Sequence, residues 1–380
     1  MKRLVSIVIV PAVAMFTALA GTPALAQATG EALSIHGFGG WAAGYTSNNN
    51  DFNDIASHDV AVDNLYFTLN LLARPAQSVT IHAQPTWSSD LRGRELSLDL
   101  AYVEWALSPD LKLRAGKIRN PLGIYTEIFK VGTLRPFYLL PNAMYRNGPE
   151  SYVGGGLNRL QKLGTWELEA EILGGQMDFE PGFTDLMVAT NPQTGAPIFA
   201  SVHSQRQGRD LIGGGLLLRP PVQGLEISLA SYGTEIWAGP VGEPLADVSD
   251  ERTTVLTGGV EYVTDSISLR TEAMGAWGNL DFQTGYVELA YMVTEHWQVA
   301  AQYDMLRRKD PPAIVKSLGD HSAIGVALNF WVNPKLVWKA DYYHVTDNYL
   351  ARPEDAVNLA LAGELAKSTD VFILGLHFAF

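Results

Sequence analysis

The sequence predicts an all-β fold, a transmembrane antiparallel β-barrel of about 16 strands whose third outer loop folds into the lumen. Three features predict it. Period-two alternation of apolar and polar residues recurs along much of the 380-residue chain. A short apolar run near the start has the form of an export leader. The last residues, Val371 to Phe380, place Phe372, Leu374, Leu376, Phe378 and Phe380 on one face of an extended strand. A soluble chain buries such a face under a helix or second sheet, whereas a barrel strand points it at lipid.

The leader comes first. Lys2 and Arg3 precede an uncharged, mostly apolar run from Leu4 to Leu19, and Ala24-Leu25-Ala26 is a small-x-small cleavage signal before Gln27. The expected division is therefore a signal peptide over 1–26 and a barrel over 27–380, with a constriction loop at 118–149 inside it. Beyond the leader no uncharged apolar stretch reaches the ~18 to 20 residues of a spanning helix, so a membrane crossing must use strands. The first strand follows the cleavage site too closely for a plug or a passenger domain.

Sixteen alternating segments begin near residues 33, 59, 78, 93, 110, 150, 165, 206, 223, 252, 266, 281, 295, 320, 334 and 368. Every second connection is a tight turn, such as Ser108-Pro-Asp110, Pro220-Pro-Val-Gln-Gly224 and Asn333-Pro-Lys335. Most of the others, at 46–58, 118–149, 176–205, 238–251, 307–319 and 348–367, are long and polar, and the connections near 89–92 and 278–280 are short. That arrangement puts the tight turns and both chain ends on the periplasmic side. Val79, Ile81, Ala83 and Trp87 should face lipid, against His82, Gln84, Thr86 and Ser88 inside. Likewise Trp166, Leu168, Ala170 and Ile172 oppose Glu167, Glu169 and Glu171. Glu104 breaks the pattern by sharing parity with Leu96, Leu98, Leu100 and Tyr102; it sits at the periplasmic interface or beyond a bulge.

Composition narrows the chemistry. There is no cysteine, which removes thiol catalysis and thiolate metal sites. The formal charge of −13 becomes −15 once the two leader cations are gone, which argues against a nucleic-acid partner. No residue pattern calls for a cofactor or a metal. The eight histidines are scattered, and Asp320-His321-Ser322, adjacent in sequence, cannot by itself form a catalytic relay.

The segment that carries function runs from Leu113-Arg-Ala-Gly-Lys-Ile-Arg-Asn-Pro-Leu-Gly123 through Arg135-Pro-Phe-Tyr138 to Asn147-Gly-Pro149. A loop in solvent has little use for Ile124, Tyr125, Phe129, Phe137, Tyr138, Leu139 and Leu140, so it is expected to pack on the inner wall and narrow the lumen. It is also locally basic. Arg114, Lys117, Arg119, Lys130, Arg135 and Arg146, with Glu127, are the candidate constriction residues, facing wall acids Glu95, Asp99, Glu167, Glu169 and Glu171. Such an arrangement orients polar solutes in a transverse field, or pins the loop by ion pairs.

The Arg-Ala-Gly-Lys strand end followed by Asn-Pro-Leu-Gly resembles the corresponding region of the phosphate-selective O and P porin group and related Gram-negative outer-membrane porins. The apolar ending with its aromatic last residue, Phe380, resembles the signal by which outer-membrane barrels are recognised for insertion. The resemblance implies a channel in the outer membrane, surrounded by its lipid, passing ions and small hydrophilic solutes, and commonly a homotrimer. The ladder of inner arginines expected of a phosphate channel has no counterpart, since acidic residues outnumber basic ones on the inner face. Weak anion preference, carried by Arg119, Lys130, Arg135 and Arg146, is the expected selectivity, and no catalysis is expected. The alternatives are a closed-lumen structural or adhesive barrel and an outer-membrane hydrolase.

Overall fold

The computed structural model describes residues 33–48, 50–91, 93–146, 148–190, 197–247, 251–278, 281–309, 320–347 and 366–380, with backbone only for 180–190 and 197–204. The expected signal peptide, 1–26, and much of the expected outer loops 307–319 and 348–367 lie outside the described residues.

Alternating side chains build one antiparallel sheet that closes on itself. β1 (Leu33–Thr46) pairs with both β2 (Ala61–Ala76) and β17 (Ser368–Ala379), which leaves no edge. Between them lie β3 (Val79–Asp90), β4 (Gly93–Ser108), β5 (Leu111–Arg119), β6 (Ser151–Leu163), β7 (Trp166–Thr190), β8 (Pro197–Arg219) and β9 (Leu225–Pro240). After a two-residue β10 (Ala246–Asp247) laid on the outer end of β9 come β11 (Thr253–Val263), β12 (Ile267–Trp277), β13 (Phe282–Met292), β14 (Trp297–Arg308), β15 (His321–Asn333) and β16 (Leu336–Thr346). The sheet counts 17 strands, of which all but β10 form the barrel wall. No helix among the described residues is long and apolar enough to cross a membrane.

Strand starts fall within a few residues of those expected, with one exception. The expected outer loop at 176–205 is largely strand: β7 and β8 stay paired out to Thr190 and Pro197, with register shifts at three places. Above the membrane the backbone ladder persists while the need for an apolar outer face lapses, so the alternation signal fades before the pairing does.

Cross-strand partners share a face, so the register sorts inner from outer residues. Gln84 and Thr86 are buried inside while Ile81 is exposed outside. Phe372 and Leu374 each keep 50% of their surface exposed on the outer face, while Val371 and Ile373 are buried within. Glu104 is explained by a bulge. The register shifts where Gln84 and Pro85 face Leu100 and Leu98, since proline cannot donate to the ladder. Leu96 and Leu98 thus point out, whereas Tyr102, stacked on His82 at 4.5 Å, and Glu104, opposite Thr80, point in.

Candidate pore constriction

The segment between β5 and β6 lies inside the barrel. It contains a 3-10 turn at Gly132–Leu134 and a single helical turn, α1 (Asn142–Tyr145). Tyr125, Phe137 and Ala143 are 0% exposed. So little regular structure leaves many backbone groups without partners of their own, and a buried backbone group must be satisfied. The inner faces of β12 to β16 supply much of what is needed.

Glu272 accepts from the Ile124 amide at 2.7 Å, from the Tyr286 hydroxyl at 2.7 Å and from the Tyr145 hydroxyl. Asp304 accepts from the Asn142 amide at 3.0 Å, and Asp341 from the Tyr138 amide at 2.7 Å. Asn329 donates to the Pro136 carbonyl at 2.7 Å. Lys339 has three ammonium protons and gives them to three loop carbonyls, Gly132 at 2.9 Å, Phe137 at 3.0 Å and Arg135. Tyr125 donates to Glu288, which also faces Arg270 at 3.4 Å. Burial first, and Glu288 second, push the Tyr125 hydroxyl well above the usual tyrosine range, so it stays a donor. His377 is stacked under Tyr138 at 4.4 Å.

The side of the lumen away from these anchors is polar and partly open. Glu104 takes Lys112 at 3.0 Å and Arg114 at 2.9 Å. Arg219 bridges Glu169 at 3.2 Å and Glu226 at 2.8 Å, and Asn158 donates to Glu169 at 2.7 Å. Glu127 is exposed on the loop and acts electrostatically on Tyr102 and Glu171 of this wall.

The expected site residues therefore separate. Arg114, Glu127 and Glu169 all act electrostatically on Glu171 on the open side. Glu167 pairs with Lys162 at 3.4 Å near a tight turn. Asp99, in the β4 bulge, accepts from Ser97 at 2.8 Å and from Thr86; Glu95, opposite Ser88, is exposed. Lys117 stands elsewhere: it pairs with outward Ala101 and donates to the Leu98 carbonyl at 2.7 Å, because strand parity turns it to the exterior. Arg119 and Arg135 are each only 8% exposed. Arg119 faces Glu150 at 3.5 Å, Arg135 approaches His377 at 3.4 Å, and Arg146 faces Asp54 of the first outer loop at 3.3 Å. Burial opposes the charge on Lys130, yet Glu150 at 3.1 Å and then Asp99 raise it above the ordinary lysine value.

The loop is thus held chiefly by wall groups on its backbone rather than by its arginines on the wall. Glu272, Glu288, Asp304, Lys339 and Asp341 were not among the expected residues. Their signal was present, since each is an ionisable residue of inward parity in a strand whose outward positions are mostly apolar. As to the adjacent Asp320-His321-Ser322, His321 instead pairs with Asp304 at 3.0 Å, while Ser322 bonds Thr346 on the opposite face.

The barrel fold is shared with solved outer-membrane proteins. OmpF of Salmonella typhi, in complex with daunomycin, superposes with a TM-score of 0.56 at 12% identity, over 92% of this chain and 97% of that chain. The fold is that of an outer-membrane porin. The outer-membrane channel DcaP of Acinetobacter baumannii gives 0.55 at 10% identity over the same shares, 92% and 97%. The trimer form of OmpT, an outer membrane protein of Vibrio cholerae, gives 0.52 at 10% identity over 92% and 100%. At such identities the likeness is one of fold. No family model and no curated protein matches the sequence. The porin barrel, its apolar exterior and its inward loop are the frame for any functional reading.

Proposed function

We propose that the protein is a passive diffusion channel of the outer membrane for ions and small hydrophilic solutes. One observation carries the reading: the inward loop is seated on β12 to β16, leaving the opposite wall lined by partly exposed charges. Charged side chains at that density call for water around them. A homotrimer is the proposed assembly, with lipid on the rest of the apolar exterior; the trimer form of the Vibrio cholerae protein supports it.

Selectivity is proposed to be weak. The loop's four cations, Arg119, Lys130, Arg135 and Arg146, are offset by Glu150, Asp54 and Glu127, and the wall cations Arg114 and Arg219 sit on carboxylates. A slight anion preference is the most such a balance supports, and phosphate selectivity of the O and P kind is not part of the proposal. Nor is catalysis part of it; His321 pairs with Asp304, and Ser322 bonds Thr346 on the opposite face.

Planar-bilayer recording tests this reading. The expected result is discrete conductance steps and a small reversal potential of anionic sign across a salt gradient. A clearly cationic sign would overturn the selectivity, and absence of conductance would leave the closed-lumen structural barrel instead.

A further inference from the structure

The first outer loop, read from the sequence as long and polar, also turns into the barrel: Phe52 and Ala56 are 0% exposed and Ile55 is 7%. Gly44, on the inner face of β1, makes room for it, since an added Cβ there would stand 2.6 Å from the Ile55 carbonyl oxygen. From this base the tip reaches three parts of the mouth. The Phe52 ring lies 5.8 Å from that of Tyr343 on β16, whose other neighbour is Phe137 of the constriction loop at 5.7 Å. The Asn53 side chain donates to that of Asn142, at the start of α1, and accepts from Arg146 just past its end; Arg146 also faces Asp54 at 3.3 Å. The Asp54 carbonyl accepts from the Leu91 amide, beyond β3, at 3.1 Å. Asn53 and Asp54 make this reach with φ of 54° and 56°, in the left-handed region that these two residue types enter most easily. The contacts run from β14, where Asp304 holds α1, round to the turn between β3 and β4, so the loop bridges the part of the outer opening between them.

We propose that this loop is a strap that sets the upper size of solute the channel admits. Wall groups hold the backbone of the constriction loop from one side, and the strap holds its last turn from the outer side. While the strap is seated, α1 cannot swing outward. Phe52 supplies most of the seating: truncating a buried phenylalanine shifts such an equilibrium by about a hundredfold or more, against roughly two- to fivefold for a partly exposed ion pair such as Arg146 with Asp54. Arg146 is thereby a positioning residue, held by Asn53 and Asp54. This role rests on the channel reading, because a size limit needs a passage.

Liposome swelling with neutral sugars reads the size limit without reading charge. In barrel that still shows heat-modifiable migration, Phe52→Ala should raise the entry rate of the trisaccharide raffinose severalfold relative to that of the pentose arabinose. Asp54→Asn and Arg146→Gln change the local charge in opposite directions, yet each should raise the same ratio, by up to about fivefold, and the double variant should go no further than the larger single change. The chain has no cysteine, so Asn53→Cys with Asn142→Cys introduces a unique thiol pair. A short bifunctional thiol reagent should join that pair, and in the Phe52→Ala background the link should bring the sugar ratio back down. A ratio unmoved by Phe52→Ala in the folded barrel, charge variants that move it in opposite directions, absence of the cross-link, or a cross-link that restores nothing would each overturn the strap. Failure to pass even arabinose would sink the channel reading, and the size limit with it, whereas passage of arabinose at an unmoved ratio would sink the strap alone.

Discussion

Replacing Lys339 by methionine should free the constriction loop while leaving the barrel folded. The ammonium is 1% exposed and serves three carbonyls between Gly132 and Phe137. A buried polar group left without its partner costs about 1–3 kcal/mol. Losing the desolvation penalty of the ammonium works the other way, but removing it leaves Asp341 buried without that cation, which cancels much of the relief. Water reaching some of the carbonyls reduces the total further. A net loss near 3 kcal/mol is expected, roughly a hundredfold in the ratio of seated to unseated loop. Strand pairing is untouched, since Lys339 meets Asn329 and Gly375 through its backbone. The assay is single-channel recording on protein that still shows heat-modifiable migration, where mean conductance and open-channel noise should both rise. Lys112→Met is the control, because Lys112 sits on Glu104 across the lumen with 41% of its side chain exposed. Unchanged conductance and noise in the folded Lys339→Met barrel, or an equal change in the control, would refute the idea that this ammonium seats the loop.

Charge changes should follow facing rather than sequence position. Lys117→Gln should leave the reversal potential where it is, whereas Glu127→Gln, removing an exposed negative charge on the loop, should shift it toward anions; a larger effect at Lys117 would contradict the strand register. The closing seam makes a separate prediction. An added Cβ at Gly37 would sit 2.1 Å from the Phe380 ring, which also stacks on Phe67 at 6.0 Å. Gly37→Val and Phe380→Ser should therefore both lower the yield of heat-modifiable barrel, and wild-type yields in both would show that the aromatic seam is incidental to assembly.

The barrel could be read in the sequence because lipid on one side and a polar interior on the other impose period-two patterning. Val79 to Ser88 and Trp166 to Ile172 carry it so plainly that their facing follows without coordinates. Where one of those conditions lapses, the reading fails. The outer parts of β7 and β8 have no lipid to face and looked like loop. At Pro85 a missing backbone donor shifts the register, so that Leu96 and Glu104 share a sequence parity and face opposite ways.

The constriction was harder for a reason of accounting rather than pattern. An ionisable residue of inward parity can face water or can serve a buried backbone, and the strand that carries it looks the same either way. Glu169 and Arg219 belong to the first kind, Glu272 and Lys339 to the second. What distinguishes them is the presence of an irregular segment that must bring its amides and carbonyls into the barrel with it. From Asn120 to Glu150 that segment forms one helical turn, one 3-10 turn and several local turn bonds, and the groups these leave over, such as the amides of Ile124, Tyr138 and Asn142, need outside partners. Carboxylates suit the amides and an ammonium suits the carbonyls, which is the distribution found on β12, β14 and β16. The same need explains why the loop's own cations took little part in seating it: side-chain charges can be satisfied by a neighbour such as Glu150, whereas a backbone amide reaches only what the wall presents.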